Sequence, residues 1–396
     1  MRRVWLLMVG AFTLGLDAYV MAGLLPVVAG DLGTTVSAAG QMVTVFTLAY
    51  AVSAPLVAGL VSGVRPRTLI LAALGVFALG NALTALAPSL AVLLLARAVA
   101  GVGAGVYSAL STAAGAGLVE DARRGRALAL VMGGMSAGTV LGVPLGVLLA
   151  GQAGWRATMW VVTGLGAVAL VGLLAGLPEV PADPPVSARK RLGALTDRAV
   201  LPIVGVSFLA AVASLGLYTY LAPVLASAGG VGEGDLTPYL WAWGVGGVLG
   251  SVLAGPLVDR TGRAFALVGV VMAVLALSLG VLPLLGAAAF PALVVWGAVG
   301  WALQVPQQHR LLALRAERGT VALALNNSAL YLGSAVGSGA AGLALAAGLA
   351  PRALPWAAAV VAAAGLALHL AARRPAALPK GCDEGSDQVR SGTRRA

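Results

Sequence analysis

The sequence predicts an all-α membrane protein with twelve transmembrane helices in two pseudo-symmetric six-helix bundles. Of its 396 residues 60% are hydrophobic and only 10% are charged, and the mean hydropathy is +0.96, whereas a soluble domain carries about 25% charged residues. Many apolar runs reach the roughly 20 residues that a helix needs to cross a bilayer. These runs are too long and too uniformly apolar for the alternating strands of a membrane barrel.

Twelve apolar windows give the predicted spans. They cover residues 4–30, 40–62, 68–87, 90–117, 127–150, 157–177, 200–226, 237–258, 264–286, 290–309, 320–349 and 353–372. The first follows Arg2 and Arg3 and so resembles a secretory signal. Its apolar run continues past the about 15 residues of such a signal, without a small-x-small cleavage site before Asp17. We therefore expect this segment to be retained as a span.

The longest interruption divides the chain in two. Residues 178–199 combine proline with charge, which predicts a solvated cytoplasmic linker. We predict an amino-terminal six-helix bundle at residues 1–177 and a carboxy-terminal one at residues 200–372. The polar tail, residues 373–396, is predicted to be disordered and cytoplasmic.

Basic residues predict the orientation in the membrane. With the amino terminus in the cytoplasm, all but three of the 25 lysines and arginines fall in cytoplasmic segments. The exceptions are Arg97, within a span, and Arg156 and Arg352, in outer loops. The positive-inside rule expects this asymmetry. We therefore predict a multi-pass protein of the cell (inner or plasma) membrane with both termini cytoplasmic, and we attribute the net charge of +11 to topology rather than to nucleic-acid binding.

Several functional classes lack the residues that they need. The single cysteine, Cys382, leaves no internal disulfide, and no cluster of metal ligands is present in the sequence. Neither Lys190 nor Lys380 lies in a G-x-x-x-x-G-K-[ST] phosphate loop. We find no nucleophile–base pair within the spans. The chain is therefore predicted to be no enzyme, to need no cofactor or metal, and to act as a monomer.

The two halves resemble each other in sequence. GPLVDRTGR follows span eight, and AGLVSGVRPR stands at the matching place after span two. GTVLG in span five likewise matches GSAVG in span eleven. Together these matches indicate a duplicated six-helix unit, an arrangement in which transporters place the site between two halves.

Four stretches support a resemblance to a known family. They are LDAYVMAGLLPVVAGDLG in span one, LLLARAVAGVGAG in span four, GTVLGVPLG in span five and GPLVDRTGR after span eight. They resemble the major facilitator superfamily, and within it the twelve-helix drug:proton antiporter family that includes sugar and chloramphenicol efflux permeases. VPQQHRLLAL and NNSALYLGSAVG are similar to that group too.

The resemblance implies two sets of site residues. The antiporter motif in span five, which implies efflux, comprises Gly138, Gly142, Pro144 and Gly146. The cytoplasmic gate comprises Gly255, Asp259, Arg260, Gly262 and Arg263. The loop after span two departs from the family pattern, because Ser62 and Gly63 stand at an acidic and a basic position. We therefore expect the gate after span eight to do most of the work. Ordinary close packing of glycines spaced by four remains an alternative for the span-five motif.

Asp17 is the only acidic residue in the apolar part of a span. A charged aspartate there costs roughly 2.5–3.5 kcal/mol on insertion scales, and nothing in the packing of an apolar helix calls for it. We predict that Asp17 carries the coupled proton, which requires access to water on each side in turn. A structural carboxyl that pairs with a hydroxyl or with Arg97 is the alternative.

Arg97 is the only basic residue deep in a span. Because a guanidinium stays protonated, it must face a cavity, a carboxylate or carbonyl groups. The resemblance places this arginine in the motif linked to proton transfer. An arginine that reaches out to the membrane surface is the alternative.

Polar side chains within other spans predict a substrate cavity. The candidates are Tyr19, Gln41, Tyr107, Gln304, Asn326, Asn327 and Tyr331. Gln304 precedes Pro306, and such polar and proline breaks indicate a cavity or gate. The alternatives are hydrogen bonding between helices and, for span ten, a helix that simply ends at Pro306.

We therefore predict a secondary active transporter that exports a small lipophilic or drug-like molecule in exchange for protons. A sugar or metabolite permease of the same fold, working in either direction, is the first alternative. A membrane protein that transports nothing is the alternative from another class.

Overall fold

The computed structural model describes residues 2–60, 64–120, 123–179, 197–232, 235–314 and 316–372. All regular structure in these ranges is helical, and eleven segments are long and apolar enough to cross a membrane. The prediction of a helical membrane fold is thereby confirmed. Ser62, Gly63, most of the predicted linker and the tail at residues 373–396 lie outside the described residues. The limits of the two predicted bundles stay a prediction.

The helices form two groups in chain order. The first group is α1 (Arg2–Gly23), α2 (Leu25–Asp31), α3 (Val36–Leu60), α4 (Pro66–Ala85), α5 (Leu90–Gly117), α6 (Arg124–Ala137), a π-helical turn (Gly138–Gly142), α7 (Val143–Ala153) and α8 (Trp155–Gly176). The second group is α9 (Val200–Thr219), α10 (Leu221–Gly229), α11 (Leu236–Thr261), α12 (Ala264–Leu285), a 3₁₀ turn (Gly286–Ala288), α13 (Phe290–Ala302), α14 (Gln304–Leu314), α15 (Ala316–Ala346), a 3₁₀ turn (Pro351–Ala353) and α16 (Leu354–Ala371).

Three predicted spans are each divided into two helices by a single non-helical residue. The divisions fall at Leu24, Tyr220 and Leu303, between α1 and α2, α9 and α10, and α13 and α14. A proline stands within the first three residues of each second piece, where its missing N–H breaks no intrahelical hydrogen bond. The tenth predicted span therefore does not end at Pro306, because α14 carries the chain on to Leu314.

Contacts between the ends of helices define the two sides of the molecule. We call the side on which α1 begins the amino-terminal side, and there Arg67 donates to the carbonyl of Leu174 at 2.9 Å. On the opposite side, Asp31 forms an ion pair with Arg156, which also donates to the carbonyl of Ala87 at 3.0 Å. α4 and α8 thus run between the two sides in opposite directions, and α1 with α2 runs from the amino-terminal side to the other.

The two groups of helices meet on the opposite side and in the middle of the molecule. The Tyr220 hydroxyl donates to the carbonyl of Ser37 at 3.4 Å, and the hydroxyls of Thr44 and Ser338 lie 2.9 Å apart. The Tyr220 side chain is fully buried and its phenol packs directly against Gly40. Any side chain at position 40 would overlap the phenol, because even a Cβ there would do so. A side chain of the second group therefore fits into a notch of the first and closes the interface there.

Candidate functional site

Asp17 and Arg97 form a buried ion pair within the first group of helices. An Arg97 terminal nitrogen, Nη1, donates to Asp17 Oδ1 at 2.8 Å. The same nitrogen donates to Asn81 Oδ1 at 3.2 Å, and Asn81 Nδ2 lies 3.4 Å from Asp17 Oδ2. The relative exposures of the three residues are 0% for Asp17, 1% for Arg97 and 0% for Asn81. The structure thus brings both predicted coupling residues together and adds a third.

Arg97 is held by more than its carboxylate. Its guanidinium carbon lies 4.1 Å from the centroid of the Phe46 ring, within the range of a cation–π contact. Its Nε is buried and makes no hydrogen bond to any residue that the structure describes. The Arg97 guanidinium is therefore paired with a carboxylate, but its hydrogen-bonding capacity is not fully used. Its Nε–H group could donate a hydrogen bond in another conformation of the site.

Asp17 has no contact with solvent in this structure. Its side chain points into α4 and α5, toward Asn81 and Arg97, and away from hydrocarbon. It is not among the residues that line the narrow cavity described next. Exchange of a proton therefore requires a different arrangement from the one seen here.

A narrow cavity lies between the two groups of helices. It is lined by Ala18, Tyr19, Ala22, Val43, Thr47, Leu215, Tyr218, Thr219, Tyr331 and Ser334, which come from α1 and α3 on one side and α9 and α15 on the other. Its free space holds no more than about one water molecule. Two of the predicted cavity residues, Tyr19 and Tyr331, line it, and the Tyr331 ring stacks on that of Tyr50 with centroids 3.6 Å apart.

The structure does not bring the other predicted cavity residues to this space. The hydroxyl of the buried Tyr107 donates to the carbonyl of Leu7 at 3.0 Å, within the first group. Gln41 Nε2 lies 3.4 Å from the carbonyl of Ser37. Gln304 and Asn326 each bury a carbonyl oxygen that no described residue hydrogen-bonds, whereas Asn327 is exposed.

The predicted antiporter motif forms the surface against which α1 packs. Residues Gly138–Gly142 make one turn of π-helix, a form that is often found at functional sites. A Cβ at Gly138 would overlap the carbonyl of Phe12, and one at Gly142 would lie 2.9 Å from the Leu16 side chain. A Cβ at Gly146 would lie 2.7 Å from that of Val20. Three glycines spaced by four therefore face three α1 residues with the same spacing, while Pro144 is buried just after the turn.

The predicted gate residues lie at the exposed end of α11, on the amino-terminal side. Gly262 ends the helix with a φ of 60°, a left-handed conformation that favours glycine. Gly255 is partly buried in the last turns, and Asp259, Arg260 and Arg263 are exposed. Among the described residues Asp259 makes no ion pair.

Other polar and aromatic groups lie at places that the motifs did not indicate. Asn81 completes the ion pair, and Trp243 and Trp301 meet Tyr19 in the middle of the molecule. His369 lies with Nδ1 3.4 Å from Arg310 and Nε2 2.9 Å from the carbonyl of Phe265. The only sign in the sequence of a role for Asn81, Trp243 and Trp301 was the presence of an asparagine or a tryptophan within an apolar span.

Comparisons with known proteins give the family. A family model described as Major Facilitator Superfamily matches residues 7–338. The chain is 32% identical over 367 residues to the inner membrane transport protein YdhP of Escherichia coli (strain K12), covering 92% of this chain and 93% of that protein. It is 33% identical over 341 residues to a chloramphenicol resistance protein of Streptomyces lividans, covering 84% and 86%.

A solved structure shows the same fold. A bacterial homologue of the human lysosomal transporter Spinster, in an inward-facing and unoccupied conformation, matches with a TM-score of 0.71 at 16% identity. The match covers 93% of this chain and 96% of that one. The match to the family model and the two sequence relatives agree with this fold, so the chain belongs to the major facilitator superfamily and is a multi-pass membrane transporter.

Proposed function

We propose that the protein is an antiporter that exports a small lipophilic or drug-like molecule in exchange for protons. The observation that carries this proposal is the buried Asp17–Arg97 pair, since two charges placed inside an apolar bundle mark an ion or proton pathway. The similarity to a chloramphenicol resistance protein supports an exported, drug-like substrate.

In the proposed cycle, protonation of Asp17 weakens its ion pair with Arg97. Asp17 takes the proton from the outer side and releases it to the cytoplasm when the substrate binds. One proton entering at about 100 mV releases roughly 2.3 kcal/mol, and each pH unit adds about 1.4 kcal/mol. Together these terms sustain a substrate gradient of roughly a few hundredfold at one-to-one exchange.

The closed opposite side supports alternating access. We assign the amino-terminal side to the cytoplasm, since it carries most of the basic residues, and the opposite side to the exterior. Tyr220 and the Thr44–Ser338 contact then close the outer entrance. Asp259, exposed and without an ion pair among the described residues, stands free to pair when the cytoplasmic side closes instead.

Charge limits the substrate. Asp17 and Arg97 neutralise each other, and the cavity between the helix groups is lined by apolar, hydroxyl and aromatic side chains. A polyanion would find no compensating charge there. A neutral molecule, or a cation that pairs with Asp17 once Arg97 has been released, fits this environment.

Transport by purified protein in liposomes tests the proposal. We expect an imposed pH gradient to drive accumulation of labelled chloramphenicol or ethidium, with protons moving the other way. Asp17→Asn should retain counterflow without a gradient and lose the response to pH. Asp31→Asn, which alters a carboxylate outside the spans, serves as the control and should respond like wild type. A gradient that moves no member of the panel, or an Asp17→Asn response equal to wild type, would contradict antiport.

A sugar or metabolite permease is the second candidate. The buried carbonyl oxygens of Gln304 and Asn326, which no described residue hydrogen-bonds, favour it, because hydroxyl groups of a polar substrate would satisfy such acceptors. Counterflow with a panel of sugars and nucleosides separates the two candidates: transport of these, and of no drug, would favour the permease.

A further inference from the structure

Four aromatic rings meet where α1 faces the second group of helices. The Tyr19 ring, on α1, lies with its centroid 5.8 Å from that of Tyr218, 6.0 Å from that of Trp243 and 6.2 Å from that of Trp301. All three distances fall in the range that aromatic pairs prefer. We call Tyr218, Trp243 and Trp301 the aromatic cage.

The aromatic cage belongs wholly to the second group of helices, and its occupant to the first. Tyr218 and Trp243 pack on each other at 4.3 Å, and Trp301 meets Trp243 edge-on at 6.3 Å. Trp296 closes the far side of Trp243 and is fixed by a 2.7 Å hydrogen bond from its Nε1 to Ser214. The cage is therefore braced within its own half, whereas Tyr19 enters it across the interface.

One polar group in the cage has no hydrogen-bond partner in the part of the chain that the structure describes. Trp243 is 2% exposed, and its Nε1 donates to no described residue. A buried N–H without an acceptor has lost its hydration and gained nothing in return, and the neighbouring Tyr19 ring does not satisfy it. A ligand with an acceptor atom at the edge of its ring would do so.

We propose that the aromatic cage binds a planar aromatic ring of the transported molecule, and that Tyr19 occupies the cage in its absence. The proposal rests on the proposed transport function and names the part of the substrate that the second half recognises. The adjoining cavity, lined by Tyr19 and Tyr218, has room for about one water molecule. Because the Tyr19 ring lies 5.8–6.2 Å from the three cage rings, a substrate ring can pack among them only by displacing it.

Displacement of Tyr19 acts on the helix that carries the ion pair. Asp17 and Tyr19 are two residues apart on α1 and face opposite directions, Asp17 toward Arg97 and Tyr19 toward the cage. An incoming ring that removes Tyr19 from the cage also releases a contact by which α1 holds the second group. Occupation of the cage is thereby linked to the position of Asp17.

Calorimetric titration of the purified full chain in detergent tests the inference without any pH gradient. The probe is p-cresol, which reproduces the tyrosine ring, and 4-methylcyclohexanol is its saturated counterpart. Removing an internal competitor raises the apparent affinity by the reciprocal of the fraction of time that the site was free. We expect Tyr19→Leu and Tyr19→Ala to bind p-cresol at least about tenfold more tightly than wild type does, with no comparable gain for 4-methylcyclohexanol.

Two further variants make the result specific. Val43→Ala truncates another residue lining the cavity, does not touch the cage, and should show no gain. Trp243→Phe combined with Tyr19→Leu keeps a ring but removes the N–H, and should lose part of the gain. Equal binding of both probes, or p-cresol binding unchanged in both Tyr19 variants, would overturn the inference.

Competition links the cage to transport. Any molecule that the liposome assay shows to be transported should displace p-cresol from Tyr19→Leu. A transported molecule that fails to compete would overturn the cage as a substrate site while leaving antiport intact. The opposite outcome is also informative. If the Tyr19 variants bind p-cresol more tightly as expected, but Asp17→Asn responds to pH like wild type, proton coupling through Asp17 would be contradicted and the aromatic cage would remain supported as a binding site.

Discussion

The guanidinium of Arg97 lies 2.8 Å from the carboxylate of Asp17, and neither group reaches solvent. Each charge has lost its hydration, so each depends on the other for compensation. Removing one partner leaves an uncompensated buried charge, whereas removing both does not. The pair should therefore respond very differently to single and to double substitutions.

Arg97→Ala should destabilise the protein by about 3–5 kcal/mol, because it leaves Asp17 buried with only Asn81 as a polar partner. The double variant Asp17→Asn with Arg97→Gln should lose clearly less, since no net charge remains. Unfolding in SDS, followed by circular dichroism, gives both values. Arg65→Ala is the control: its 3.6 Å pair with Glu179 is exposed and should contribute at most about 1 kcal/mol. Equal losses in the single and double variants would show that charge compensation is not what holds the site.

Hydropathy predicted the helices well because membrane spans are selected for apolar length. It also singled out Asp17 and Arg97, since a charge in such a run is rare. It did not predict the divisions at Leu24 and Tyr220, because a window average does not register a proline near the start of a second helix. The division at Leu303 lies directly before Gln304 and Pro306, where the polar residues and the proline had indicated a break.

The parts of the site that sequence reasoning missed depend on tertiary packing. Asn81 looked like any short polar residue in a span, and its position beside Asp17 follows from how α4 packs against α1. Trp243 and Trp301 count as apolar on a hydropathy scale, so nothing marked them as partners of Tyr19. Tyr107 was expected in the cavity, but Gly10 lets its phenol dock on α1 instead.

Gly40→Ala should open the outer side of the protein. A Cβ there would overlap the Tyr220 hydroxyl, and a Cβ at Gly342 would do the same from the other side. The phenol cannot retreat between the two glycines, so the added methyl disfavours the closed arrangement. In a Cys382→Ser background, the thiol of Ser334→Cys, at the cavity, should react with an impermeant maleimide at least about fivefold faster when Gly40→Ala is also present.

Matched variants check that the effect arises where Tyr220 packs against Gly40. Gly30→Ala has no atom within 4 Å of its new methyl group and should label like the parent. Tyr220→Phe keeps the ring and loses only a 3.4 Å hydrogen bond, so it should change labelling little. Labelling that Gly40→Ala leaves unaltered would remove Tyr220 as the outer closure.

Gly138→Ala should disrupt the close packing of α1 against the π-helical turn. The new methyl would overlap the carbonyl of Phe12, a backbone atom that cannot rotate away, and overpacking of this kind costs about 1–3 kcal/mol. Gly133→Ala, in α6 one turn earlier, meets nothing within 4 Å and should be neutral or stabilising by up to about 1 kcal/mol. SDS unfolding measures the difference between the two variants, and similar stabilities would refute close packing as the role of Gly138.

Asp31→Asn should lower stability slightly at neutral pH and not at acidic pH. Hydrogen bonds, first from Arg156 and then from Trp155, lower the pKa of the Asp31 carboxyl below its ordinary value. A carboxyl with a lowered folded pKa contributes stability above its unfolded pKa of about 3.9, and the contribution is lost as the pH falls through the folded pKa. Because the Asp31 side chain is 42% exposed, solvent limits the effect to about 1 kcal/mol or less.

Unfolding of the wild type and of Asp31→Asn at several pH values from 7 to about 2.5 checks this sign. The asparagine keeps an acceptor for the Trp155 N–H, 3.1 Å from Asp31 in the wild type, so the comparison isolates the charge. The two stability curves should lie apart at pH 7 and converge at the acidic end. Curves that separate further as the pH falls would mean that protonated Asp31, rather than the carboxylate, stabilises the link between α2 and α8.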